Sequence, residues 1–80
     1  MKNAAKEIIY GVCDKTNKND SYFGFFKNLE DAQKEILIQG NRLKEDLGIM
    51  DITIKNDRAF KPVNEQEEDL LIVIHKYVLR

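Results

Sequence analysis

Two apolar runs, residues 8–13 and 22–26, flank a polar segment in the first third of the chain, a pattern that predicts two β-strands joined by a turn. The apolar residues of 6–14 divide between the two sides of a strand, with Ile8, Tyr10 and Val12 on one side and Ile9, Gly11 and Cys13 on the other. Residues 15–20 are polar and rich in Asn and Asp, as turns are. The segment 22–27 returns as a second strand, so the chain opens with a predicted hairpin.

The second predicted strand is the most aromatic part of the chain, because residues 22–26 hold four of its seven aromatic side chains. Aromatic residues at this density favour a pleated, partly buried strand. Regular alternation places Phe23 and Phe25 on one face of the sheet and Tyr22 and Phe26 on the other. Both faces of the hairpin are therefore apolar.

The register of the hairpin indicates which face packs on a helix. If Cys13 pairs with Tyr22, then Gly11 lies near Gly24 on the same face. Two strand glycines leave a shallow trough in which another element can approach closely. We therefore expect the helix on the face that carries Tyr22, and a partner on the face that carries Phe23 and Phe25.

Residues 29–47 have the spacing of an amphipathic helix, with an apolar stripe formed by Leu29, Ala32, Ile36, Leu43 and Leu47. Asn28 is a good N-cap, and Gly48 is a natural stop at the C-terminal end. Gly40 falls within the stripe, where glycine costs helix stability. Either Gly40 allows close packing on a sheet, or it is simply tolerated.

The rest of the chain predicts two more strands. Residues 50–55 alternate as a third strand, and residues 60–63 form an extended segment before an acidic loop. Residues 69–80 are ambiguous, because their β-branched side chains favour a strand whereas Asn64 followed by Glu67 fits the start of a capped helix. Five consecutive apolar residues from 70 to 74 favour a buried central strand.

These elements predict an α+β fold, with a single domain over residues 1–80. The expected sheet is four-stranded and mainly antiparallel, with one helix on one face and the order β-β-α-β-β.

One helix covers only one face of the sheet, and a contiguous apolar face left open usually marks an interaction site. We expect this face to bind a second copy of the chain or another protein through Tyr10, Phe23 and Phe25, with Ile38 adding apolar surface. Alternatively, the polar loop 56–69 folds over it, with Phe60 and Val63 as plugs.

Charge is abundant but balanced, with 13 Lys and Arg against 14 Asp and Glu. This balance argues against a duplex-DNA binder, which needs a basic footprint. We expect a cytoplasmic protein without membrane contact, because no signal peptide or apolar run of about 18 residues is evident. Cys13 is the only cysteine, so neither an internal disulfide nor a zinc site is expected, and no cofactor is indicated.

Two groups of residues suggest chemistry. Cys13 and His75 could meet in neighbouring strands as nucleophile and base, but no third group orients them, so we expect a buried structural cysteine and no enzyme activity. The segment 65–69 carries four negative charges, on Glu65, Glu67, Glu68 and Asp69. Such a run is ordinarily a solvated loop, and its functional interpretation is docking to a basic protein surface.

The segment 21–26, followed by Leu29-Glu30-Asp31-Ala32, resembles the RNA-recognition motif, in which a Phe-Gly-Phe strand stacks bases and leads into a Glu-Asp-Ala helix. The resemblance implies that Phe23 and Phe25 form a stacking pair. Ser21 stands where that family has a basic residue, and Asn28 where it has the final aromatic. Single-stranded nucleic-acid binding is therefore the alternative function.

The whole chain resembles small accessory proteins of phages and mobile elements. The resemblance lies in the order of its parts, which are a short hairpin, Gly-Phe-Phe, an Asp-Ala helix and further strands. That resemblance implies a cytoplasmic binding protein, with inhibition of a host enzyme or defence complex as one activity. Taken together, the sequence predicts a non-enzymatic protein-interaction module, a homodimer through the helix-free face of its sheet.

Overall fold

The computed structural model describes residues 7–16, 20–48 and 51–79. These residues form an α+β fold with one helix and a five-stranded antiparallel sheet in the order β2-β1-β5-β4-β3. The elements in chain order are β1 Glu7–Asp14, β2 Ser21–Phe26, α1 Leu29–Leu47, β3 Thr53–Ile54, β4 Arg58–Pro62 and β5 Glu68–Leu79. The α+β class is confirmed, whereas the predicted count of four strands is wrong.

The additional strand is β4, which the sequence indicated only as an extended segment. Arg58–Pro62 pairs with β5 on one side, and its residues Ala59 and Phe60 pair with β3 on the other. Pro62 ends the strand, as expected of a residue without a backbone N–H to donate. The predicted third strand is shorter than residues 50–55, since β3 comprises only Thr53–Ile54, and Met50 lies outside the described residues.

The helix has the predicted bounds. Asn28, in an extended conformation, precedes the first turn, and its carbonyl accepts a hydrogen bond from the N–H of Ala32. Gly48 ends the helix in the left-handed conformation, with φ of 63°. Gly40 is buried, and a Cβ on it would lie 2.7 Å from Ile54 Cδ1. This glycine therefore serves the close approach of α1 to the sheet.

The last segment is a strand, and β5 occupies the centre of the sheet. Its two halves have different surroundings. Ile72 and Val73 pair with β1 on one side and β4 on the other, residues 68–70 pair only with β4, and residues 75–79 pair only with β1. Burial is greatest near the doubly paired part, since Leu71 and Ile72 are buried but Leu70, Val78 and Leu79 are exposed.

The core lies between α1 and one face of the sheet. It is formed by side chains from the helix and from β1, β4 and β5, with Ile52 beside them: Val12, Ala32, Ile36, Ile52, Ala59, Leu71 and Ile72. The helix contacts all five strands from this side. In the part of the chain that the structure describes, no helix combines the length and apolarity needed to span a bilayer.

Candidate interaction surface

The face of the sheet opposite α1, called here the helix-free face, has no described element packed on it. Alternation along β1 directs Val12 towards the helix, so that Gly11 and Cys13 lie on the helix-free face. Ile72 and Ile74 of β5 likewise point into the core. The β5 residues on the helix-free face are therefore Val73, His75, Tyr77 and Leu79.

A β-bulge in β2 changes which aromatic residues lie on this face. Cys13 pairs with Tyr22 as predicted, but Val12 pairs with Gly24, so Phe23 is an extra residue in β2 without a partner. Because the bulge breaks the alternation, Phe23 packs against the helix-side core with Phe26.

The prediction that Phe23 and Phe25 share a face is therefore wrong, and so is the prediction that Gly11 and Gly24 lie on the same face, because Gly24 pairs with Val12. Gly11 pairs with Phe25, whose ring stacks on that of Tyr22 at a centroid distance of 4.8 Å. Tyr10 also packs against the helix-side core, because its side chain points in the same direction as Val12. Of the three predicted sheet contacts, only Phe25 lies on the helix-free face.

Gly11 provides the space for the two stacked rings. A Cβ at this position would lie 2.8 Å from Tyr22 Cε2 and 3.0 Å from Phe25 Cε1. The rings therefore lie close over the backbone of β1 at Gly11, and both Gly11 and Cys13 are buried although no helix covers this face. Glycine is needed here for close approach, but the approaching groups are rings of β2 rather than the helix.

Three polar side chains extend the stack across the sheet from β2 to β5. Tyr22 Oη lies 3.1 Å from His75 Nδ1, and Tyr77 Oη lies 3.4 Å from the same nitrogen. The two tyrosine hydroxyls also hydrogen-bond to each other. This bond and desolvation raise the pKa of Tyr22 to about 12. We call Tyr22, Phe25, His75 and Tyr77 the aromatic cluster.

An apolar depression adjoins the aromatic cluster at one end of the face. It has a volume of about 320 Å³ and is lined by Ile9, Phe25, Tyr77 and Leu79. Phe25 is 58% exposed, and Tyr77 and Leu79 are also exposed. Exposed aromatic and aliphatic side chains around a concave surface are typical of a protein-binding patch.

The other end of the face is closed by an ion pair over an aromatic ring. Arg58 donates two hydrogen bonds to the carboxylate of Glu68, from Nε at 2.7 Å and from Nη2 at 2.9 Å. Its guanidinium lies 5.1 Å from the centre of the Phe60 ring, which is buried. The hydrogen bond from Arg58 lowers the pKa of Glu68.

The predicted cover by the loop 56–69 does not form, since residues 58–62 extend the sheet as β4. Phe60 does lie on the helix-free face, but as a strand residue beneath Arg58. Val63 is exposed. The apolar end of the face is therefore left open by the described residues.

Cys13 and His75 are both on this face but are not paired. Cys13 lies opposite Val73, and His75 lies opposite Gly11. Cys13 is fully buried, and this burial, together with the negative charge of Asp20, raises the pKa of its thiol. A raised pKa disfavours the thiolate that a nucleophile requires.

The remaining predicted contacts lie elsewhere on the molecule. Ile38 is 54% exposed on α1, and because α1 covers the other face of the sheet, Ile38 does not adjoin Phe25. The acidic residues Glu65, Glu67, Glu68 and Asp69 are exposed in and after the β4–β5 turn. Asn64 Oδ1 closes this turn by accepting hydrogen bonds from the N–H groups of Gln66 and Glu67.

Sequence reasoning missed Ile9, Tyr22, His75, Tyr77 and Leu79 as members of one surface. The signal shared by all of them except Tyr22 is the odd-numbered alternation along β1 and β5, which was visible in the sequence. What the sequence did not show was that β1 and β5 are neighbours and that Tyr22 joins them after the bulge.

Within the described residues, no three His, Cys, Asp or Glu side chains are grouped so that they could hold a metal ion. Comparison of the chain with protein-family models, curated proteins and solved structures finds no match. The functional interpretation therefore depends on the geometry and chemistry of the helix-free face.

Proposed function

We propose that this protein is a non-enzymatic interaction module that self-associates through the helix-free face of its sheet. The observation that carries the proposal is the open apolar depression lined by Ile9, Phe25, Tyr77 and Leu79, beside an aromatic cluster that no described element covers. A small domain buries a modest core, and association of two copies is one way in which such domains gain stability.

The charges around this face favour a protein surface as the partner. Lys27 pairs with Glu7 at 3.8 Å, Lys15 with Asp20 at 3.1 Å, and Arg58 with both Asp57 and Glu68. Each of these cations already has a carboxylate partner, whereas binding to a phosphate backbone requires cations that are free to neutralise it. A balanced rim around an apolar centre is the usual composition of a protein–protein interface.

The size and shape of the face suit a second copy. Five strands spaced about 4.8 Å apart, with a central strand of 12 residues rising about 3.3 Å each, give a face of roughly 24 by 40 Å at most. This is of the order of the ~800 Å² that each partner buries in a standard interface. Phe25 lines the depression of its own chain, so a two-fold axis through this face would bring the exposed apolar linings of the two copies, each including Phe25, against one another.

The proposal excludes a catalytic role for Cys13, supported by its burial, its raised pKa and its position opposite Val73 rather than His75. Binding of a host enzyme or defence complex, and docking of the acidic residues 65–69 on a basic surface, stay predictions from the sequence.

The test compares two substitutions of similarly exposed apolar residues on opposite sides of the molecule. Phe25→Ser should weaken self-association by about 30-fold, because truncating an aromatic anchor at the centre of an interface typically costs about 2 kcal/mol. Ile38→Ser, at 54% exposure against 58% for Phe25, should leave the association unchanged. Sedimentation equilibrium over a range of concentrations measures both. A wild-type protein that stays monomeric at millimolar concentration, or equal effects of the two substitutions, would contradict the proposal.

A second candidate function is single-stranded nucleic-acid binding by base stacking. It is favoured by one observation, the exposure of Phe25 in a ring pair on a helix-free sheet. The stacking pair would then be Tyr22 and Phe25 rather than Phe23 and Phe25. Titration of a labelled oligonucleotide at two salt concentrations distinguishes the functions, because stacking binders show salt-dependent affinity.

A further inference from the structure

We propose that the free edge of β5 at residues 75–79 is a second self-association surface, where the same edge of another copy adds as an antiparallel strand. This proposal concerns the edge of the sheet and does not depend on the helix-free face. It starts from the unequal pairing of β5, because Ile72 and Val73 have strand partners on both sides, whereas residues 75–79 pair only with β1 among the described residues.

The direction of the backbone groups along this edge follows from two hydrogen bonds. The N–H of Ile74 donates to the carbonyl of Asp57, on the side of β4. The carbonyl of Leu71 accepts from the N–H of Lys15, on the side of β1. In an antiparallel ladder, alternate residues direct both backbone groups to the same side. The N–H and C=O groups of Lys76 and Val78 therefore point away from β1, to the side where β4 has ended.

An unpaired strand edge flanked by exposed apolar side chains is a template for strand addition. Tyr77, Val78 and Leu79 are all exposed, so apolar side chains lie on both faces of the sheet along this edge. The other long edge is different, because β2 carries the bulge at Phe23, which disrupts regular pairing. Among the described strands, the end of β5 is therefore the edge best suited to a new partner.

A second copy fits this edge better with Tyr77 on the two-fold axis than in the register shifted by one residue, with Lys76 on the axis. With Tyr77 on the two-fold axis, Lys76 of each copy lies opposite Val78 of the other, and the N–H and C=O groups of both residues are paired. The two Tyr77 rings then lie opposite each other, and aromatic cross-strand pairs are favourable. A register with Lys76 on the axis would place like charges directly opposite, which is destabilising.

The first test is residue-resolved amide hydrogen exchange by NMR at low and high protein concentration. The amides of Lys76 and Val78 should exchange freely in the dilute protein and become at least about tenfold slower on association, since each gains a backbone hydrogen bond. Association that leaves both amides unprotected would overturn the edge contact while leaving the face contact possible. Protection that is already present in the dilute monomer would also overturn it, because another part of the same chain would then cover the edge.

The second test uses Val78→Pro with Val78→Ala as its matched control. Proline removes the N–H that points away from β1 and keeps an apolar side chain, whereas alanine removes apolar side-chain surface and keeps that N–H. Val78→Pro should weaken the edge association by about tenfold more than Val78→Ala, because each pair of copies loses two backbone hydrogen bonds, one from each Val78 N–H. Both are measured in the Phe25→Ser background, so that loss of the face contact is not mistaken for loss of the edge contact. Equal effects of the two substitutions would overturn the proposal.

Discussion

Tyr22 and Phe25 stack with their ring centroids 4.8 Å apart, although they are three positions apart in the same strand. A regular strand places such residues on opposite faces. The bulge at Phe23 adds one residue and brings both rings onto the helix-free face, where they lie over Gly11. The exposed aromatic surface of this protein therefore depends on one irregularity in β2 and one missing side chain in β1.

Gly11→Ala tests this dependence. Alanine in a strand interior is normally more stable than glycine by about 0.5–1 kcal/mol. Here its Cβ would lie 2.8 Å from the Tyr22 ring, which the hydrogen bonds to His75 and Tyr77 hold in place. We expect overpacking to reverse the sign and to lower the free energy of unfolding by about 1–2 kcal/mol. Urea denaturation measures the change.

The control is the double variant with Tyr22→Ala. Removing the Tyr22 ring takes away the closest contact and frees the Phe25 ring, 3.0 Å from the new methyl group, to move aside, so Gly11→Ala should cost clearly less in that background. The difference between the two backgrounds is the coupling of residues 11 and 22. If the cost of Gly11→Ala is the same in both, the ring does not occupy the space that the structure shows.

Local signals in the sequence were sufficient for the elements that depend on local interactions. Asn28, Gly48 and the apolar stripe between them predicted the bounds of the helix, because end signals and helical spacing are encoded within a few residues. The Asn28 side chain nevertheless makes no capping hydrogen bond to the helix backbone. The apolar run of residues 70–74, with the β-branched Ile72, Val73 and Ile74, likewise favoured a strand over a helix.

The features that were missed depend on residues distant in sequence. The bulge at Phe23 arises in the pairing of β2 with β1, and alternation within β2 alone assigns Phe23 to the wrong face. β4 is short and ends in Pro62, so it has little strand signal until it pairs with β5. The contact between Tyr22 and His75 spans 53 positions and requires the sheet order to be known. Tertiary pairing, rather than propensity, decided each of these.

Gly40→Ala tests the packing of the helix on β3. In an exposed helix this change stabilises by about 1 kcal/mol, through helix propensity alone. A Cβ on Gly40 would lie 2.7 Å from Ile54 Cδ1 and 2.9 Å from Ile54 Cγ1, so we expect a net loss of about 1–2 kcal/mol instead. In an Ile54→Val background, which lacks Cδ1, the loss should be smaller. Thermal unfolding of the four variants measures this, and a stabilised Gly40→Ala protein would show that the close approach is wrong.

Tyr22→Phe tests the hydrogen bonds of the aromatic cluster through the pH dependence of stability. The pKa of Tyr22 is raised from 10.0 to about 12, chiefly by its hydrogen bond with Tyr77, so the folded state retains the phenol proton more tightly than the unfolded state does. The resulting stability is fully present below pH 10 and is lost as the pH rises towards 12. We expect the wild-type urea midpoint to fall between pH 9.5 and 11.5 by more than that of Tyr22→Phe, because phenylalanine has no proton to lose.

The control is Tyr10→Phe, on the other face of the sheet. It keeps the Tyr22 hydroxyl, so its urea midpoint should fall as much as that of the wild type. Parallel declines in the wild type and Tyr22→Phe would mean that the Tyr22 proton is not held by the cluster.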